Sequence, residues 1–108
     1  MTSDTSEIRR RSAALFGNEK VVEVVLAMAR SEAPHSVTAQ DVSKATEIAH
    51  SLVRDVLVRL TMSEVLVAVP KVGGSRAAQY YQPRADFGWT ELVAIAELVE
   101  ERSVVRQR

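Results

Sequence analysis

The chain has 108 residues, of which 46% are apolar and 26% charged, and this is the size and composition of one folded domain. It has no cysteine, which excludes disulfides and cysteine-based zinc sites, and its two histidines are too few for a catalytic metal. We therefore expect no metal and no cofactor. No apolar run approaches the roughly 18–20 residues of a membrane span, and the polar N-terminus does not resemble a signal peptide. These features predict a cytoplasmic protein without membrane contact.

The charge is balanced overall but segregated along the chain. The chain has fourteen Lys and Arg residues and fourteen Asp and Glu residues, and the resulting net charge of zero argues against binding to phosphates. However, Arg9, Arg10 and Arg11 are consecutive, residues 65–84 carry bases and no acid, and residues 85–101 carry acids and no base. The basic segments could bind nucleic acid or could be ordinary solvated charges, and both interpretations stay open.

The N-terminal third predicts a terminal segment followed by a buried helix. Residues 1–17 form either a flexible arm or a short helix that starts at Ser6. Asn18 is the candidate N-cap of a helix over residues 18–32, which Pro34 ends. Apolar residues cover most of the circumference of this helix, so we expect it to pack on more than one side.

Two further helices follow, joined by a tight turn. Thr38 is a candidate N-cap, with Asp41 in the position of a capping box, for a short helix over residues 39–46. After a turn at residues 47–49, a longer helix begins at His50 or Ser51. The apolar residues expected to face inward are Val42 and Ala45 on the short helix and Leu52, Val53, Val56, Leu57 and Leu60 on the longer one.

The pattern changes at residue 65 from a helical period to short β-branched runs. Residues 65–70 and 77–83 predict two strands, and the intervening KVGGSR contains Gly73 and Gly74, which are typical of a hairpin turn. Tyr80 and Tyr81 alternate along the second strand, so one should face the core and the other should point outward.

The chain is predicted to end in one more helix over residues 89–105, with Thr90 as its candidate N-cap and Trp89 at its edge. The apolar stripe of this helix has little of its own chain left to cover it, because the preceding elements can fold around helix 18–32. We therefore expect it to supply the interface of a homodimer, through Trp89, Leu92, Ile95, Ala96 and Val99, with help from residues around Ile8, Leu15 and Phe16.

The order of these elements resembles the winged helix-turn-helix of bacterial transcription regulators of the MarR and ArsR type. The resemblance covers residues 18–84 and is carried by Thr38 and Val42 in the first helix, Ile48 in the turn, His50, Ser51, Arg54, Leu52, Leu57 and Leu60 in the recognition helix, and residues 65–69, GGSR, Tyr80 and Tyr81 in the wing. Two features depart from the family: Ser63 and Glu64 stand where a glycine is common, and the metal sites of the ArsR type are absent.

The resemblance implies a mainly α fold with a small β-hairpin wing and three parts: residues 1–17, a DNA-binding domain over 18–84, and a dimerisation helix with a basic tail over 85–108. It implies a homodimeric regulator that binds double-stranded DNA sequence-specifically, with the recognition helix in the major groove and the wing on the backbone or minor groove. The candidate DNA contacts are Lys44, His50, Ser51, Arg54, Asp55, Arg59, Lys71, Ser75 and Arg76.

Three alternatives differ in what the domain would do. It could be a protein-interaction module, as its zero net charge and acidic residues 85–101 favour, or a non-specific DNA-organising protein of the partition type. Catalysis is the least supported, because the sequence shows no nucleophile with its base, no phosphate-binding loop and no carboxylate pair. The sequence specifies neither an operator nor a small-molecule effector.

Overall fold

The computed structural model describes residues 4–32, 36–70 and 79–104. Within them the chain is mainly helical, with one small antiparallel pair of strands, as predicted. The elements are α1 (Thr5–Phe16), α2 (Val21–Ala29), α3 (Ala39–Thr46), α4 (His50–Met62), β1 (Leu66–Pro70), β2 (Gln79–Pro83), a single 3-10 turn (Ala85–Phe87) and α5 (Trp89–Arg102).

Helix α2 is the centre of the core. Six of its nine residues are buried, and α1, α3, α4 and α5 all pack against it. A helix that is apolar on nearly every side must be covered on every side, and this is what the other four helices do. The expectation that this segment packs on more than one side is confirmed.

The start of α2 differs from the prediction. The helix begins at Val21 after Lys20, which makes no side-chain cap, and Asn18 instead accepts a bond from the Lys20 N–H at 2.8 Å. The first turn is satisfied by a residue of α1: the hydroxyl of Ser12 accepts from the Val22 N–H at 3.2 Å and donates to the Asn18 carbonyl at 2.7 Å. Ser12 is fully buried, so water cannot replace these bonds.

The N-terminal segment is a helix and not a flexible arm. Asp4 caps it by accepting from the N–H groups of Ser6 and Glu7, and Gly17 ends it with a left-handed φ of 69°. The Asp4 N–H also donates to the carbonyl of Ser103 at 2.6 Å. The first and last described segments of the chain are therefore tied together.

Helix α3 has the predicted limits. Thr38 accepts from the Asp41 N–H and Asp41 accepts from the Thr38 N–H, both at 3.1 Å, which completes the capping box. Val42 is buried as expected, but Ala45 is exposed, because it faces an open cleft and no neighbouring helix covers it. The turn that follows places Glu47 at a left-handed φ of 60° and buries Ile48.

Helix α4 begins at His50 and buries four of the five residues predicted to face inward, namely Val53, Val56, Leu57 and Leu60. The exception is Leu52, which is 44% exposed. Successive residues of an α-helix are about 100° apart, and the four buried residues define a face whose edge leaves Leu52 outside. The prediction that Leu52 belongs to the core was wrong.

The strands pair antiparallel, with Leu66 opposite Pro83 and Ala68 opposite Tyr81. Tyr81 is buried and its backbone exchanges two bonds with Val37, whereas Tyr80 is only half-buried, so the predicted alternation is confirmed. Glu64, at the position where the family commonly has glycine, adopts a left-handed φ of 68° between α4 and β1. The segment KVGGSR, with Gly73 and Gly74, lies outside the described residues.

Helix α5 folds back on its own chain. Thr90 is not its N-cap: Gly88 precedes the helix with a φ of 95°, and no side chain caps it. Trp89, Ala96 and Val99 are buried and the helix packs against α2, so the expectation that its stripe lacks cover within the chain was wrong for these three residues. Leu92 is half-buried, and the exposed large apolar residues of α5 are Ile95 and Leu98.

The buried bonds of Ser12 predict a large cost for a small substitution. We expect Ser12→Ala to lower the free energy of unfolding by about 1–3 kcal/mol, since the buried N–H of Val22 and the partly buried carbonyl of Asn18 each lose their partner. Ser6→Ala, an exposed position of the same helix, is the control and should be nearly neutral. Urea denaturation measures both, and equal midpoints for the two variants would contradict this role of Ser12.

Candidate nucleic-acid interface

Helices α3 and α4 form a helix-turn-helix whose outer surface is the exposed side of α4. The two helices pack against each other, and the turn between them is held by Ser43, whose hydroxyl donates to the Ile48 carbonyl at 2.7 Å. The exposed residues of α4 are His50, Ser51, Leu52, Arg54, Asp55, Val58, Arg59 and Met62. A helix with one continuous exposed side can enter the major groove of a duplex.

The first two turns of α4 carry polar side chains that are free to bind. His50, Ser51, Arg54 and Asp55 are all exposed. Among the residues that the structure describes, Arg54 and Asp55 form no ion pair, either with each other or with a neighbouring helix. The guanidinium of Arg54 and the carboxylate of Asp55 therefore keep their hydrogen-bonding capacity for a ligand.

Arg59 has a different position from the other candidate residues. Its Nη1 donates to the Phe16 carbonyl at 3.2 Å, at the C-terminal end of α1. This bond satisfies one of the carbonyls that a helix leaves free at its end, and it connects α4 to α1. Arg59 is thus bound within the domain, whereas Arg54 is not.

The remaining candidates fall on α3 and between the strands. Lys44 is exposed on α3 and lies beside a cleft described below. Lys71, Ser75 and Arg76 lie outside the described residues. Their contribution to a DNA interface is a prediction from the sequence.

The consecutive arginines of α1 bind glutamates of the same domain. Arg9 pairs with Glu23 of α2 at 2.7 Å, while Arg10 and Arg11 pair with Glu7 at 2.7 and 3.8 Å. The hydrogen bond from Arg10 lowers the pKa of Glu7, and the bond to Glu23 raises the pKa of Arg9. The positive charge of this segment is therefore largely compensated, and an arm free to bind phosphates is not what the structure contains.

A cleft of about 860 Å³ lies between α1, α2, α3 and α5, and the sequence analysis did not anticipate it. Its lining comes from four separate helices, so no single local motif could have indicated it. Across it Arg30, the C-cap residue of α2, makes two bonds to Glu100 of α5, at 2.6 and 2.9 Å. These bonds lower the pKa of Glu100 and raise that of Arg30.

In the described ranges, 4–32, 36–70 and 79–104, no cluster of three His, Cys, Asp or Glu side chains could hold a metal ion. Within the same ranges, no helix is long and apolar enough to cross a membrane.

Comparison with solved structures identifies a DNA-binding protein with a similar fold. The chain is similar to BpsR of Bordetella bronchiseptica, whose DNA binding is regulated by 6-hydroxynicotinic acid, with a TM-score of 0.66 and 19% identity over 96% of this chain and 73% of that one. No family model matches the sequence, and no curated protein does. The likeness shows that the two chains share a fold, while membership of the MarR or ArsR type stays a prediction.

The bond between Arg30 and Glu100 predicts a pH dependence of stability. Because the folded-state pKa of Glu100 is lowered, the contribution of the pair is fully present above the ordinary glutamate pKa of 4.5 and is lost as the pH falls through the lowered value. We expect Glu100→Gln to unfold about 0.5–1 kcal/mol more easily near pH 7, the range for a partly exposed pair, and the difference from the parent to shrink as the pH falls toward 3.

The matched control for that variant is Glu101→Gln, which removes a charge from the exposed neighbouring position. Urea denaturation at the two pH values measures the difference. A deficit of Glu100→Gln that persists unchanged near pH 3 would show that the charge of Glu100 is not its source.

Proposed function

We propose that the chain binds double-stranded DNA and acts as a transcription regulator, with α4 in the major groove. The observation that carries this proposal is the helix-turn-helix of α3 and α4, whose second helix keeps unpaired polar side chains in its first two turns and is followed by an antiparallel pair of strands. The likeness in fold to a protein whose DNA binding is regulated supports it. A regulator that binds the chromosome in this way would be located at the nucleoid, in the cytoplasm of a bacterium.

We assign the sequence-specific contacts to the start of α4. Arg54 can donate two bonds to O6 and N7 of a guanine, which contributes about 1–3 kcal/mol of discrimination. Asp55 can accept from the amino group of a cytosine, while His50 and Ser51 can bind either base edges or phosphates. Arg59, which donates to the Phe16 carbonyl, positions α4 against α1.

The non-specific contacts are assigned to lysines and arginines around α4. Lys44 and the residues between the strands, Lys71, Ser75 and Arg76, would bind phosphates or the minor groove. Because Lys44 and Arg54 are balanced by Glu47 and Asp55, the affinity should depend on salt less steeply than that of a strongly basic domain.

We further propose that the active form is a two-fold homodimer. The burial of Trp89, Ala96 and Val99 leaves Ile95 and Leu98 as the exposed large apolar residues of α5, and Leu15 of α1 is 58% exposed as well. Covering such half-exposed side chains gains about 1 kcal/mol or more each, and two-fold symmetry counts each twice. A dimer would place two copies of α4 about 34 Å apart, which requires a near-palindromic site.

The second candidate function is a protein-interaction module. Three of the exposed residues of α4 are apolar, namely Leu52, Val58 and Met62, and the charges of the helix-turn-helix cancel. A fluorescence-polarisation titration against random and selected duplexes at two salt concentrations separates the candidates. Affinity that falls with salt and is higher for the selected duplex supports the regulator, equal affinity for both supports a DNA-organising protein, and no affinity supports the interaction module.

The assignment of specific and non-specific contacts predicts two different effects. Arg54→Ala should lower the affinity for the selected duplex about tenfold and leave random duplex nearly unchanged, because it removes a base contact. Arg76→Ala should weaken binding to both duplexes by the same factor, because it removes a phosphate contact.

Arg102→Ala, which removes an exposed positive charge from α5, is the control for those two variants. If all three variants bind as the parent does, this surface is not the DNA interface.

If the dimer forms through α5, substitutions of its exposed apolar residues should change the oligomeric state, which is measured as the molecular mass in solution. We expect Ile95→Asp and Leu98→Asp to shift the protein from dimer to monomer in light scattering at micromolar concentration, because each places a charge in an apolar interface. Met62→Asp, an 80% exposed position of α4, should leave the mass unchanged. A parent protein that is already monomeric would contradict the dimer.

A further inference from the structure

The recognition helix exposes an apolar side chain where base contacts are expected. Leu52 is 44% exposed in the first turn of α4, although Val53, Val56, Leu57 and Leu60 already fill the core beneath the helix. A solvated helix face would carry polar residues at such a position. An exposed leucine beside Ser51 and one turn before Asp55 is therefore available for contact with an apolar group of a ligand.

Leu52 lies nearer the start of α4 than the two other exposed apolar residues of this helix, Val58 and Met62. Met62, which is 80% exposed, is the last residue of α4 and lies about 15 Å further along the axis at 1.5 Å per residue. In a helix-turn-helix the N-terminal turns of the second helix contact the base edges. Leu52 is in the first of these turns, and Met62 is beyond them.

The major groove offers one apolar group to such a side chain, the C5-methyl group of thymine. We propose that Leu52 reads a thymine methyl group and is a specificity-determining residue of this interface, an inference that rests on the proposed DNA binding. Leu52 and Arg54 then recognise different bases. Arg54, to which we assign a guanine, lies on the opposite edge of the exposed side of α4. Removal of one buried methyl group should cost about fourfold in affinity.

The test combines a change in the base with a change in the residue. A duplex selected by the parent protein is prepared with each thymine replaced singly by deoxyuridine, which lacks only the methyl group, and the Kd is measured by fluorescence polarisation. The parent should bind about fourfold more weakly at one such position. Leu52→Ala should bind the thymine duplex about fourfold more weakly and lose nothing further on the deoxyuridine duplex.

Two other variants make the comparison specific. Leu52→Met keeps an apolar side chain of similar volume and should retain sensitivity to the methyl group. Met62→Ala, the matched control at the far end of α4, should behave as the parent does at every thymine.

Three results would overturn the inference while DNA binding itself stands. These are a parent insensitive to every deoxyuridine, a Leu52→Ala variant that keeps the full sensitivity of the parent, and a change of molecular mass in Leu52→Ala, which would show that a second protein chain covers this position. Failure of the parent to bind any duplex would instead overturn the proposed function and remove the basis of the inference with it.

Discussion

The burial of α2 is the constraint on which the rest of the fold depends. This helix is apolar on nearly every side, so α1, α3, α4 and α5 must surround it, and each of them uses its own apolar face to do so. The faces left over determine what the domain can bind. Helix α4 keeps an exposed outer side, and the large apolar residues of α5 that stay exposed are Ile95 and Leu98, because Trp89, Ala96 and Val99 already cover α2.

The polar bonds between helices show which arginine side chains are already engaged within the domain and which are available to a ligand. Arg9 binds Glu23, Arg30 binds Glu100 and Arg59 binds the carbonyl of Phe16. Each of these arginines connects two helices, so its charge or its donors are used inside the domain. Arg54 has no such partner among the described residues, which distinguishes a residue available for recognition from residues that a charge count alone would treat as equivalent.

The described part of the proposed interface, the exposed side of α4, is more apolar and less basic than the usual DNA-binding surface. With the arginines of α1 compensated, base contacts at the start of α4 would supply a larger share of the binding free energy in the proposed complex than phosphate attraction does. This is consistent with the proposed sequence-specific regulator, and it explains why an exposed leucine at the start of α4 is compatible with that function.

The features that depend on near neighbours were predictable from the sequence. The capping box of Thr38 and Asp41 joins residues three apart, the alternation of Tyr80 and Tyr81 joins adjacent ones, and each of these interactions lies within one element. Long-range packing, in contrast, sets three other features: Ser12 rather than Asn18 satisfies the start of α2, Leu52 is exposed, and Arg30 binds Glu100 70 positions away. These outcomes depend on which helix faces lie opposite each other, and the hydrophobic period of a single helix does not specify that arrangement.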